Sequence, residues 1–98
     1  MSLIVDREQN EIKALRQVTD WPGKKVLEIG CGKGRVTRRL ARLGAQVEAI
    51  EPNARLIDLA RRQLPPSFAS RVRFSVGKSS RLEYGRGTFD LVLFAWSL

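Results

Sequence analysis

The chain has 98 residues, which is the length of one small domain. It carries a single cysteine and no histidine, so an internal disulfide, a histidine-dependent triad and a His-ligated zinc are all excluded. Net charge is +8, from 18 basic and 10 acidic residues, a balance that serves solubility or an anionic partner such as nucleic acid.

Hydrophobic residues make up 43% of the chain and fall in blocks, as a folded domain requires. No run reaches the roughly 18 apolar residues of a membrane span. The opening "MSLIVDREQNE" has too short an apolar stretch for a signal peptide, so a cytoplasmic protein is expected. Aromatic residues do not alternate with basic ones, so nucleic acid is not the favoured partner.

In chain order, a first helix is expected from about Arg7 to Val18, with Asp6 and Gln9 as its capping box. Pro22 and Gly23 break the chain, and Lys25 to Ile29 reads as a short buried strand. Gly30 to Gly34 is a loop. A second helix follows from about Lys33 to Leu43, with Val36, Leu40 and Leu43 on one face and Gly44 as its stop. Gln46 to Ile50 alternates as a second strand that ends at Glu51. Asn53 caps a third helix, roughly Ala54 to Gln63, with an Asp58–Arg62 pair on its outer side. Val72 to Val76 is a third strand, and Thr88 to Ala95 a fourth whose unbroken apolar run implies burial on both faces. Strands alternating with amphipathic helices predict parallel βα units.

A loop leaving the carboxyl end of the first strand is the expected ligand crevice of such a sheet. Gly30 and Gly32 remove side chains where the backbone turns against a ligand, and Gly34 lets the helix start close to the strand. The helix N-terminus offers N–H groups to an anionic part of the ligand. Glu51, at the end of the next strand, is placed to accept hydrogen bonds from the two hydroxyls of a ribose. A dinucleotide fingerprint would need glycine at position 35, which holds Arg35. Glu28 would repel a pyrophosphate and suits a ligand with a positive amine.

Four pieces, "VLEIGCGKG", "VEAIEPN", "VRFSVGKSSRLEYGRGTFD" and "LVLFAWSL", come in an order that resembles the front half of a class I S-adenosylmethionine-dependent methyltransferase. The resemblance covers about residues 22 to 98, after an N-terminal helix segment over 1 to 21. It implies an α/β, Rossmann-like parallel sheet with flanking helices, spatial order 3-2-1-4, truncated after the fourth strand. S-adenosylmethionine is the implied cofactor, its methyl group passing by in-line displacement to an unknown acceptor. The resemblance places Glu28 at the amino-acid end of the cofactor, and Gly30, Cys31 and Gly32 along the loop against it. Glu51 would bind the ribose, Pro52 and Ser79 the adenine, and Ala95 would lie beside the methionine portion. Where the family commonly has an acid after the third strand, this chain has Lys78, which cannot accept a hydrogen bond.

No residue here is assigned as a catalytic base, so turnover is expected only with further chain or a partner. A non-catalytic cofactor-binding or interaction module is the alternative, and a basic RNA-binding domain a third reading. Cys31 reads as a small loop residue, since no histidine exists to activate it. Arg35, Arg38, Arg39 and Arg42 read as a solvated face in preference to an RNA-binding stripe. Trp21 and Trp96 read as packing residues, with Trp96 as a cofactor cover the alternative. The last strand has no neighbour for its outer edge, and Phe89, Leu91, Leu93 and Phe94 would lack part of their cover. Self-association through that edge, or a longer polypeptide that covers it, is therefore expected.

Overall fold

A computed structural model of the protein describes residues 17–77 and 89–95. Four strands form one parallel sheet: β1 (Lys25–Ile29), β2 (Gln46–Glu51), β3 (Val72–Val76) and β4 (Leu91–Phe94). Their spatial order is β3-β2-β1-β4, as expected. Helix α1 (Arg35–Arg42) joins β1 to β2, and α2 (Ala54–Gln63) leads from β2 toward β3.

Side-chain alternation along the strands divides the core in two. Val26, Val47, Ala49, Phe74 and Leu93 face one side of the sheet, where Val36 and Leu40 of α1 and Ile57 and Ala60 of α2 pack on them. Leu27, Ile29 and Ile50 face the other side. Both described helices therefore cover the same face. Trp21 is buried in the helix-side core, the packing role expected of it.

The helix ends follow their chemistry. Asn53 accepts a hydrogen bond from the N–H of Arg55 at 2.9 Å, a side-chain cap for α2. Asp58 and Arg62 pair at 3.1 Å on its exposed side. At the other end of α1, the N–H of Ala45 bonds the Leu40 carbonyl and that of Gly44 bonds Ala41, a Schellman stop.

Several expectations change. Helix α1 starts at Arg35 rather than Lys33, because Gly34 is left-handed and acts as its N-cap. Gly34 is needed less by the strand than by α2: a β-carbon there would lie 3.2 Å from that of Ala60 and 3.5 Å from the Phe74 ring. Between α2 and β3 the chain forms a 3₁₀ turn, Pro66–Arg71, behind the Pro-Pro break. Arg71 ties that turn to α1 by donating to the Ala41 carbonyl at 3.0 Å. Strand β4 is shorter than the apolar run Thr88–Ala95, although the N–H groups of Asp90 and Ala95 still bond β1 carbonyls at 2.8 and 2.9 Å. Leu93 is fully covered, unlike the expectation for it, because it points into the helix-side core. Phe89, Leu91 and Phe94 are half-buried. Most of the expected first helix, Lys78, Ser79 and Trp96 lie outside the described residues.

Gly34→Ala tests the close approach of the two helices. It places a side chain at φ +84° and against Ala60, and should lower stability by about 1–3 kcal/mol in urea unfolding. Gly77→Ala, at a site with open space and no left-handed φ, should leave the midpoint nearly unchanged.

Candidate functional site

The carboxyl end of β2 gathers the loops around it. The Ile50 carbonyl accepts from the N–H groups of both Gly30 and Cys31, at 2.8 and 3.1 Å. One carboxylate oxygen of Glu51 accepts from the N–H of Gly32 at 3.1 Å, and the other from the N–H of Asn53 at 2.9 Å. The Glu51 carbonyl accepts from Gly77 at 3.0 Å. Each oxygen of the carboxylate keeps a further lone pair for a ligand hydroxyl.

Gly30, Gly32 and Gly34 have φ of 77°, 56° and 84°. The alternate glycines thus let the loop reverse its hand at every second residue while Cys31 and Lys33 keep side chains. A β-carbon on Gly32 would meet no protein atom within 4 Å. Its open side faces a cleft, which is what close approach of a ligand to the backbone requires.

That cleft encloses about 420 Å³, within the range of small-molecule sites. Gly30, Cys31, Gly32, Glu51 and Ala95 line it together, five of the residues expected from sequence. Lys33, Arg35, Val36, Arg38, Leu56 and Gln63 complete the wall. Helix α1 opens onto the cleft with no side-chain cap and no acid in its first turn. Its leading N–H groups have no intrahelical acceptors, so an anionic ligand group is favoured there.

Two expected residues stand elsewhere. Pro52 is exposed and does not line the cleft. Glu28 is fully buried beneath the loop and also does not line it. The hydroxyl of Thr37, on α1, donates to Glu28 Oε1. Alternation explains this: Glu28 shares the parity of Val26, so it points to the helix side. Sequence reasoning passed over Thr37. Its signal was a hydroxyl on the buried face of an arginine-rich helix, one turn before Leu40 and Ala41, where a polar group needs a partner. Arg38, Leu56 and Gln63 were also missed as cleft residues, since the Arg38 guanidinium reaches Gln63 Oε1 across the two helices at 3.2 Å.

The negative field of the site is felt at Cys31. Burial first, then the charges of Glu28 and Glu51, push its thiol from 9.0 up to about 12. The thiol is therefore protonated at neutral pH, in agreement with a packing role. Among the described residues no group of His, Cys, Asp and Glu is arranged to hold a metal ion. A second cavity, of about 410 Å³, lies at the amino ends of β1, β2 and β3 and is lined by Lys25, Gln46, Glu48, Arg71, Arg73 and others. No expected site residue reaches it. The glycine loop and Glu51 stand instead at the strand carboxyl ends, where sheets of this kind take their ligands.

The raised thiol predicts slow alkylation. With its thiol pushed up to about 12, Cys31 in the folded chain should react with iodoacetamide at pH 8 roughly 100 to 1,000 times more slowly than after unfolding in urea. Stability should also fall as pH rises from about 9 toward 12, because the unfolded thiol ionises first, and Cys31→Ala should lose that part of the alkaline slope. Equal alkylation rates in folded and unfolded chains would show that the thiol is neither buried nor near the two carboxylates.

Comparison with known proteins adds to this geometry. A family model described as a methyltransferase domain matches residues 26–98. Magnesium-protoporphyrin O-methyltransferase of Rhodobacter capsulatus is 40% identical over 79 residues, which are 81% of this chain and 34% of that protein. The glycopeptide N-methyltransferase MtfA, solved with sinefungin, is 25% identical with a TM-score of 0.72, covering 86% of this chain and 34% of its own. An S-adenosylmethionine-dependent methyltransferase from Mesorhizobium loti has the same fold, with a TM-score of 0.72 at 23% identity over 84% of this chain and 38% of its own. The chain spans between 17% and 34% of the length of the curated relatives it matches.

Proposed function

Because the chain belongs to the class I S-adenosylmethionine-dependent methyltransferases, we propose that its strand-end cleft holds that cofactor and presents it to a methyl acceptor. The observation that carries this reading is Glu51. Its carboxylate is oriented by two backbone N–H groups at the lip of a glycine-lined cleft. A fixed acid with free lone pairs suits the vicinal hydroxyls of a ribose.

The other residues fit the same ligand. Gly30 and Gly32 let its amino-acid portion lie against the backbone. The start of α1 receives the carboxylate of that portion. Glu28 contributes negative charge from below the loop, which favours the ammonium. Ala95 is held at the end of β4 by its bond to Ile29 and closes the wall with a small side chain, leaving room for the methionine chain. Pro52, expected on the adenine side, stands outside the cleft lining, and Ser79 lies outside the described residues. When bound, S-adenosylmethionine supplies a sulfonium-activated methyl group for in-line displacement by the acceptor. The chain's part is to fix position and to supply the field, and positioning of this kind contributes a large share of such a rate.

Calorimetry with S-adenosylhomocysteine tests the assignment. The product should bind and NAD should not. Glu51→Ala should weaken binding by about 1.5–3 kcal/mol, the scale for hydrogen bonds to a charged group. Unchanged affinity in a variant that still unfolds cooperatively would remove Glu51 from ribose binding.

The outer edge of β4 supports a second reading about assembly. Among the described residues no strand pairs with that edge, and Phe89, Leu91 and Phe94 are only half-covered. An apolar strand edge is a template for another chain. The 98-residue chain should therefore associate with a second copy through β4. Sedimentation at micromolar concentration should show species larger than a monomer, and Leu91→Lys should shift the distribution toward monomer. A wild-type chain that sediments only as a monomer would reject the proposal.

A further inference from the structure

The cationic side chains of this protein are not evenly spread. No acid occurs between Glu28 and Glu48, while that interval holds Lys33, Arg35, Arg38, Arg39 and Arg42. The fold turns four of these arginines to the outer side of α1, because Val36, Thr37, Leu40 and Ala41 take the buried side. The four lie close enough to interact: burial, then the charges of Arg35, Arg39 and Arg42, lower the pKa of Arg38. Arg38 is nonetheless held in the cluster, donating to the Lys33 carbonyl at 3.0 Å and to Gln63 at 3.2 Å. Both acceptors are neutral. On α2, Arg55 is exposed, and Arg62 is paired with Asp58, the one carboxylate of that helix.

Three features decide what such a surface fits. It runs along the length of α1 instead of converging on one point, so an extended anion matches it better than a small one. Helix α1 alone is about 12 Å long, and duplex nucleic acid carries a negative charge about every 1.7 Å of its axis. The cations are mainly arginine, whose planar fork bonds two phosphate oxygens at once. A lipid surface would need an apolar face beside the charges, and the apolar face of α1 is spent on the core. Among the described residues the exposed large hydrophobic side chains are Leu59 and Val76, and neither lies on α1.

We propose that the outer surface of the helical layer, centred on the arginine face of α1, binds nucleic acid through its phosphate backbone. The sequence pattern alone favoured a solvated face. The packing changes the balance, because Arg35, Arg38 and Arg39 are half-buried and gathered, and only Arg42 is fully exposed. This surface does not rest on the cofactor reading, and Arg39 and Arg42 do not line the cofactor cleft. It does meet the cleft at Lys33, Arg35 and Arg38, so a bound strand would run past the cleft mouth.

Fluorescence anisotropy with labelled duplex RNA and duplex DNA tests the proposal on the full chain. Binding should weaken steeply with salt, with one unit of slope in log K for about each phosphate neutralised. Arg39→Gln/Arg42→Gln should weaken binding at least about tenfold and reduce the slope by about 2. Lys24→Gln/Lys25→Gln removes the same charge at the amino end of β1, and should cost less than about threefold. Calorimetry with S-adenosylhomocysteine should give the same affinity for the Arg39/Arg42 variant as for the wild type, which keeps the two readings separable. The proposal fails if neither duplex binds at low salt, if the two double variants lose affinity equally, or if polyglutamate or anionic vesicles bind as tightly as the duplexes.

Discussion

The strand-end architecture hangs from two residues, Ile50 and Glu51. Their backbone and carboxylate oxygens accept from Gly30, Cys31, Gly32, Asn53 and Gly77, which belong to three different loops. A carboxylate that is nearly all buried needs partners, since burial without them is costly. Here the partners are backbone N–H groups, which give charge-assisted bonds and a fixed direction. The same contacts that satisfy the acid therefore also shape the glycine loop. In the cofactor reading we propose, structure and recognition share one side chain, so a change at Glu51 acts on both.

Glu28 is the second anchor and works from below. It sits one residue from the end of β1, between Ala49 of β2 and Leu93 of β4 in register, and points at α1. Thr37 meets it there. This contact fixes how α1 leaves the loop, which in turn sets where its first N–H groups aim. Gly34 permits the arrangement by letting α1 start in contact with Ala60 of α2. The cleft is thus framed by a strand-end acid above the loop, a buried acid beneath it and a helix start beside it.

Much of this was legible in the sequence, for physical reasons. Strand periodicity located β1, β2 and β3 nearly to the residue, and the parallel order followed from the alternation of strands and helices. Asn53, Gly44 and the Asp58–Arg62 pair are local signals, and local signals survive folding. What escaped depends on contacts between distant residues. The neighbour that requires Gly34 to be glycine lies on the next helix. The burial of Glu28 needs Thr37, and nothing in a linear pattern pairs them. The extent of β4 was overestimated at both ends because an apolar run marks burial, whereas strand length is set by pairing with β1 beside it. The 3₁₀ turn after α2 was hidden by the Pro-Pro break, which marks the end of a helix without specifying the next element.

The composition also takes on a different meaning once the acids are placed. Two of the 10 carboxylates, Glu28 and Glu51, are buried at the cleft. They therefore do little to offset the cations on the outer helical layer. Burial and then two carboxylates raise the Cys31 thiol, and burial and then three arginines lower Arg38, although both residues lie on the wall of one cleft. Screening in physiological salt acts over about 8 Å, so two fields of opposite sign can persist side by side across a loop. In the two readings we propose, a cationic centre is drawn toward the acids and an anionic chain toward the arginines. Net charge alone hides this division, because it sums over both. The separation follows from strand parity and helix face: an acid on the inward side of β1, and arginines on the outward side of α1.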